Sequence, residues 1–435
     1  MDVRARRLAI LAGGGELPRE IADSAAARGE LVAIVAIDGE ANADFGSHPV
    51  TRVNWGQIGA MIRTLKAAKA TDLVIVGRVH RPELGGLKPD LGFFRYLPQI
   101  VKIVASGGDD SVLRRVVRFF ERHGITVIGP GDAAPGLVVG KGPIGSATSS
   151  ASDQADIARG LDLIRALGAY DIGQSVIISN GEIEVIEGAE GTDRMIARAA
   201  ARRTARGSGK PAGVLVKRSK PGQDLRVDMP AIGPATVKGV QEAGLAGVAV
   251  EAGRVLVAER AETVRCADGM GVFVEGVSDG EERDPPRRFN ARKVTMKFRV
   301  LGRAAPEQHG THDAIKGIAT LDALTGFGIG RAVIVVRNHV LAVETGEGAE
   351  EAVRRAAGLR QWASITRTRR GVATLRDVTD LTSAVVKAVA SAGYAGIALA
   401  SGPPEPAAVP PKLLAEADHA GIFLLVREPA VGAAT

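Results

Sequence analysis

The stretch LAILAGGGELP, Leu8 to Pro18, decides the first part of the fold. An unbroken apolar run that passes at once into Gly13-Gly14-Gly15 reads as a buried strand ending in a tight turn, and Pro18 suits the first turn of a following helix. Outward from there, the runs Leu31 to Ile37, Leu73 to Val76 and Ile125 to Ile128 alternate with helical patterns, as a parallel sheet with helical crossovers requires. One of those helices is well marked: Asp109, Asp110 and Ser111 offer caps, Leu113, Val116, Val117 and Phe120 share a face, and Gly124 ends it. Residues 1–145 are therefore expected to form a Rossmann-like α/β domain, with a Gly- and Ser-rich linker near Gly140 to Ser150.

A chain of 435 residues is too long for one ordinary core, so about three domains are expected. Apolar residues at 45% with aromatics at only 3% suit α/β layers filled by Ala, Val, Ile and Leu. The net charge of +7 is thinly spread, and the short basic clusters Arg202-Arg203, Arg287-Arg288 and Arg367 to Arg370 lack interleaved aromatics, which argues against nucleic acid. A modest positive field favours anionic ligands or an anionic membrane surface. A single cysteine, Cys266, excludes an internal disulfide and a thiolate metal cluster, and the seven histidines show no ligand spacing. No stretch approaches the ~20 apolar residues of a spanning helix, so a cytoplasmic protein is expected, with room for a peripheral membrane contact.

A second unit opens with a helix over 153–167, then strands Ser175 to Ile178 and Glu182 to Ile186 joined by Asn180-Gly181, a pair suited to a type I′ hairpin turn. The segment Gly173 to Ile196 matches Gly330 to Val353 without gaps at a constant offset of 157 residues, with Glu187 and Glu190 falling on Glu344 and Glu347. Farther on, GLAGVAVEAG from Gly244 resembles GYAGIALASG from Gly393. Two copies of this length point to duplication of a whole domain. Residues 150–277 are expected to be the first copy, 278–312 a connector containing Asp284-Pro285-Pro286, and 313–430 a degenerate second copy.

Three places could carry chemistry. The turn Gly13 to Gly15 before a helix N-terminus could let backbone approach a phosphate, although Pro18 replaces the third glycine of a dinucleotide fingerprint; Asp38 could still touch a ribose. The tract Glu187-Gly-Ala-Glu190-Gly-Thr192-Asp193 could hold Mg²⁺ through carboxylates beside a helix start, or simply cap that helix. The loop from Lys217 through Gln223, Asp224, Arg226 and Asp228 to Pro230 combines cations that would offset phosphate charge with acids that would align water or metal, and also fits a surface strand.

Taken together, LAILAGGGELP (8–18), GRVHRP (77–82), GGDDSVLRR (107–115), IEGAEGTDRMI (186–196) and QDLRVDMPAIGPATV (223–237) resemble the LpxI type of UDP-2,3-diacylglucosamine pyrophosphatase over about residues 7–277. The resemblance implies a Mg²⁺-dependent hydrolase of lipid A synthesis that splits UDP-2,3-diacylglucosamine into UMP and 2,3-diacylglucosamine 1-phosphate, water attacking the β-phosphate. It implies an essential acid within QDLRVDMP, assigned first to Asp228 and second to Asp224, with Arg226 and Lys217 completing the catalytic set. By extension, Gly13, Gly14, Gly15, Thr192 and Gln223 would contact substrate phosphate, and Asp228, Glu187 and Glu190 would hold the metal.

The chain departs from that pattern after residue 277. The added copy keeps Glu344 and Glu347, replaces Thr192 by Ala349, and shortens the QDLRVDMP loop to Arg376-Asp377-Val-Thr-Asp380-Leu. It is expected to pack on the first copy, so that the chain is either a homodimer or a pseudo-dimer built by its own repeat. Two further readings stay open: a catalytically lapsed binder of lipid or nucleotide, and an NAD-binding oxidoreductase, the latter disfavoured by Pro18 and by the lack of a catalytic His or Lys–Tyr arrangement.

Overall fold

The computed structural model describes residues 6–80, 86–104, 109–206, 211–278, 289–359, 371–401 and 409–429. The basic clusters at 287–288 and 367–370, the Asp284-Pro285-Pro286 segment, and residues 81–82 and 107–108 of two of the motifs lie outside these.

The first element run is β1 (Leu8–Ala12), α1 (Leu17–Ala27), β2 (Leu31–Ile37), β3 (Val50–Val53), α2 (Ile58–Ala67), β4 (Asp72–Val76), α3 (Leu91–Val104), α4 (Asp109–Glu121), β5 (Thr126–Val127) and the short α5 (Pro130–Ala133). The five strands form one sheet in the order β3-β2-β1-β4-β5, with every pairing parallel. Successive side chains of a strand point to opposite faces, and here both faces are covered. Leu8, Ile10 and Ala12 pack with Ile21 and Ala25 of α1 on one side, while Ala9 and Leu11 pack with Met61, Leu65, Val117 and Phe120 of α2 and α4 on the other. That double burial is why the strands read as continuous apolar runs. The edge strand β3 (VTRV), with only Val53 buried, carried no such signal.

The next run is β6 (Gly142–Pro143), α6 (Ala151–Gly168), β7 (Ser175–Ser179), β8 (Glu182–Ile186), α7 (Thr192–Arg206), β9 (Val214–Lys217), β10 (Ala231–Ile232), α8 (Pro234–Glu242), β11 (Gly247–Glu251), β12 (Leu256–Val257), α9 (Arg260–Met270) and β13 (Phe273–Val277). Helix α6 starts two residues before its expected beginning because Ser150 caps it: its hydroxyl accepts from Asp153 N–H at 3.2 Å and the Asp153 carboxylate accepts from Ser150 N–H at 2.9 Å. The β7–β8 turn has Asn180 at φ 52° and Gly181 at φ 79°, the geometry expected of Asn-Gly.

The last run is β14 (Phe298–Leu301), α10 (Gln308–Leu324), β15 (Ala332–Val336), β16 (His339–Val343), α11 (Ala349–Leu359), β17 (Val372–Leu375), α12 (Ser383–Ser391), β18 (Gly396–Leu399), α13 (Pro411–Ala420) and β19 (Phe423–Arg427). Its sheet order, β14-β19-β18-β17-β15-β16, repeats β6-β13-β11-β9-β7-β8 strand for strand. Both sheets are mixed, since β7 and β15 run antiparallel to their neighbours. The segment expected as a connector therefore already contributes β14, which pairs with β19, and the first turn of α10.

By compactness the chain divides into two units. One comprises Met1–Thr148, Gly222–Lys238 and Val250–Ser278; the other comprises Ser149–Pro221, Gly239–Ala249 and Asp279–Thr435.

Candidate active site

In the second unit, Ser175 opens β7, Lys217 closes β9, and the two are register partners across an antiparallel pair. Thr192 begins α7. The buried Lys217 donates from Nζ to Thr192 Oγ1 at 3.0 Å, and Thr192 Oγ1 lies 3.2 Å from Ser175 Oγ. Glu187 is a latch beside this trio: its Oε2 accepts from Gln174 N–H at 3.0 Å while its own N–H donates to Ser175 O. Glu190 is only 6% exposed, pairs with Arg198 Nη2 at 2.5 Å and lies 3.9 Å from Arg355 Nη1. Two guanidinium groups thus neutralise the carboxylate that spacing had offered to a metal. Among the described residues no three or more of His, Cys, Asp and Glu gather as a metal site.

The second copy is an internal control. Asp156 accepts from Asn180 and Gly181 N–H at 2.9 and 2.6 Å, and Asp313 accepts from Arg337 and Asn338 N–H at 3.0 and 2.6 Å. Glu344 repeats the Glu187 latch with Arg331 N–H, also at 3.0 Å. The trio is not repeated: Ser175, Thr192 and Lys217 correspond to Ala332, Ala349 and Leu375, and Leu375 is part of the apolar core of the repeat. Latches survive in both copies and the polar trio in one, so the sheet of the repeat is built without the trio. Sequence reading missed Ser175, although laying the two copies side by side at the 157-residue offset would have shown the loss at Ala332.

In the first unit, the loop after β9 packs Val227 on the α2/α4 side of the parallel sheet. Arg226 forks onto Asp224, from Nε to Oδ1 at 2.9 Å and from Nη2 to Oδ2 at 2.7 Å, and reaches Glu121 of α4 at 3.2 Å. The Arg226 hydrogen bonds hold the Asp224 carboxyl below the usual range, with Arg114 adding its charge, and Asp224 in turn holds Arg226 more firmly protonated. Asp228 Oδ2 accepts from Gln223 Nε2 at 2.6 Å, and Asp228 N–H donates to Asp224 O at 3.0 Å. Asp224, Asp228, Gly222, Leu113 and Arg114 line one small recess. Two carboxylates beside arginine in this recess suit an anhydride whose phosphates bring their own charge.

The turn Gly13 to Gly15 sits after β1 where the strand order reverses between β1 and β4, the place where open parallel sheets bind ligands. Here the glycines serve close backbone packing. A Cβ on Gly13 would fall 2.5 Å from Arg78 O, and one on Gly77 would fall 2.6 Å from Gly13 C. The Gly13, Gly14 and Gly15 N–H groups donate to Val76 O, Arg78 O and the Asn42 side chain respectively.

The LpxI N-terminal domain model matches residues 7–137, and the LpxI C-terminal domain model matches residues 140–275 and again 298–425. The chain belongs to the LpxI family. The UDP-2,3-diacylglucosamine pyrophosphatase LpxI of Caulobacter vibrioides is 37% identical over 280 residues, a match that spans 64% of this chain and 99% of that relative. The LpxI C-terminal domain is thus present twice, and its second copy lacks the Ser–Thr–Lys trio. No helix among the described residues is long and apolar enough to cross a membrane.

Proposed function

We propose that this LpxI-family chain hydrolyses UDP-2,3-diacylglucosamine to UMP and 2,3-diacylglucosamine 1-phosphate in lipid A synthesis, at the cytoplasmic face of the inner membrane, with Asp228 as the acid on which the reaction depends. The observation that carries this reading is the loop 222–230, in which Asp224 is paired to Arg226 and the Asp228 carboxylate, accepting from Gln223, lines the same recess. Asp224 is committed to its arginine.

Water forms the new bond to the β-phosphorus, the bridge to the α-phosphate breaks, and UMP leaves. Mg²⁺ commonly takes one or two protein carboxylates and fills its shell with water and phosphate oxygens. The donor set fits that pattern through Asp228 and not through Glu190, whose charge is spent on Arg198 and Arg355. A bound Mg²⁺ would offset the charge developing on the phosphate oxygens. Asp228 would align water and take its proton, Arg226 would fix Asp224 and with it the shape of the loop, and Gln223 would orient Asp228. Lys217 and Thr192 are proposed to contact substrate phosphate.

The test is UMP release by the purified full chain, with Asp228→Ala and Asp380→Asn. Loss of at least about 10³-fold is expected for Asp228→Ala. Near-normal rates are expected for Asp380→Asn, because Asp380 is bound to Arg331 within the repeat. Chelation should abolish release, and Mg²⁺ titrated without substrate should bind only weakly. An inert, folded wild type with Mg²⁺ present would instead mark a lapsed binding relative.

A further inference from the structure

Residues 149–221 and 239–249 of the first copy share one compact unit with the repeat, and the two copies meet there through equivalent parts. Helix α6 packs on α10, its counterpart 157 residues on. There Arg159 Nη2 donates to Phe327 O at 3.0 Å, and its guanidinium lies 5.9 Å from the Phe327 ring centre. Elsewhere in the contact, Arg198–Glu190 of one copy and Arg355–Glu347 of the other form the same ion pair, 2.5 Å in each. Arg355 also lies 3.9 Å from Glu190, so the four charges, all largely buried, make one cluster. In a twofold contact residue i meets j and j meets i, so equivalent residues face each other only beside the axis. Both the α6–α10 packing and the four-charge cluster meet that condition.

The repeat also grips the segment that leads to Thr192. Ala189 packs against the apolar core of the repeat, and its N–H donates to Leu341 O at 3.4 Å. A Cβ on Gly188 would fall 2.5 Å from the same Leu341 O, so the backbones are too close for any other residue. Arg202 ties Glu184 O to Thr345 O at 3.0 and 2.9 Å and reaches Glu347 at 3.4 Å.

We infer that the degenerate repeat is a built-in subunit: it occupies, across an internal pseudo-twofold, the face that a second copy of this chain would otherwise cover, and it braces segment 187–191 so that Thr192 meets Lys217. Only the use made of Thr192 rests on the proposed hydrolysis; the association and the bracing do not.

The experiment inserts a specific protease site between residues 279 and 288 of the full chain and reads sedimentation and amide exchange before and after cleavage. The uncut chain is expected to sediment as a 45.1 kDa monomer at micromolar concentration. After cleavage the two pieces should stay together, with slow exchange at 188–191. Adding Arg198→Met and Arg355→Met takes both arginines from the buried Glu190 and leaves Glu347 with Arg202, so the cleaved pieces should part. Exchange at 188–191 should then rise at least tenfold, while β7 and β9 stay unchanged. Should that double variant fail to fold, Arg159→Ala with Phe327→Ala reads the same separation at the α6–α10 contact. A dimeric uncut chain, wild-type pieces that part on cleavage, or unchanged exchange at 188–191 after separation would each overturn the inference. Absence of UMP release would sink the hydrolase reading and leave these measurements standing.

Discussion

Lys217, Thr192 and Ser175 illustrate how a duplicated chain separates chemistry from folding at the scale of single residues. The repeat builds the same sheet with Leu375, Ala349 and Ala332 in their places, and Leu375 lies in an apolar core. A buried polar cluster must satisfy its own hydrogen bonds before it contributes stability, and an apolar replacement of similar shape is often neutral or better. The triple change Ser175→Ala, Thr192→Ala, Lys217→Leu is therefore expected to keep or raise the unfolding midpoint in a denaturant titration, while UMP release falls at least about 100-fold. Equal loss of both would mean the trio is structural. Asp313 makes a separate prediction. Burial pushes its carboxyl up from 3.8 to about 6, against the Asn338 and Arg337 N–H groups that favour the charged form. A carboxyl with a folded pKa above its unfolded value holds its proton more tightly when native. Its contribution is thus full below about pH 4 and is lost as pH rises through about 6. The repeat should lose up to about 3 kcal/mol across that window, at about 1.4 kcal/mol per pKa unit. Asp313→Asn should flatten that slope in unfolding curves taken at successive pH values.

At the scale of elements, the turn between β1 and α1 shows why a glycine run is ambiguous in one dimension. Three glycines at the switch point of a parallel sheet suggest a phosphate cradle, yet Gly13 is needed because the backbone of Gly77 lies against it. Gly77 adopts φ 99°, a conformation that side chains rarely permit. Gly13→Ala would drive a Cβ to 2.5 Å from Arg78 O and force β1 and β4 apart at their carboxyl ends. A loss of about 2–3 kcal/mol is expected, the scale of an overpacked core, visible as a lower midpoint for the parallel-sheet unit. An unchanged midpoint would show that the turn has room to shift. The hairpins are the opposite case, because a helix aspartate, Asp156 or Asp313, holds each turn by two backbone N–H groups. Nothing in local pattern foretold that latch, since its partners lie 24 and 25 residues away.

Over the whole molecule, compactness cuts across the order of the chain. The loop with Asp224 and Asp228 belongs to the unit built on the parallel sheet, whereas Lys217 and Thr192 belong to the unit that also holds the repeat. The second copy of the C-terminal domain lacks the trio but keeps the Glu347–Arg355 pair. The amino-acid sequence by itself determined the α/β class, most strands, the Asn-Gly hairpin, the duplication and the family motifs, because apolar periodicity, turn chemistry and a constant offset are local or linear signals. Only the tertiary structure decided that Glu190 is spent on two arginines, that Ser175 joins Lys217 and Thr192, that Gly13 faces Gly77, and that β14 belongs to the repeat. Each of those depends on which groups folding brings within hydrogen-bond or van der Waals reach, and a carboxylate or a glycine reads the same along the chain whichever partner it finds.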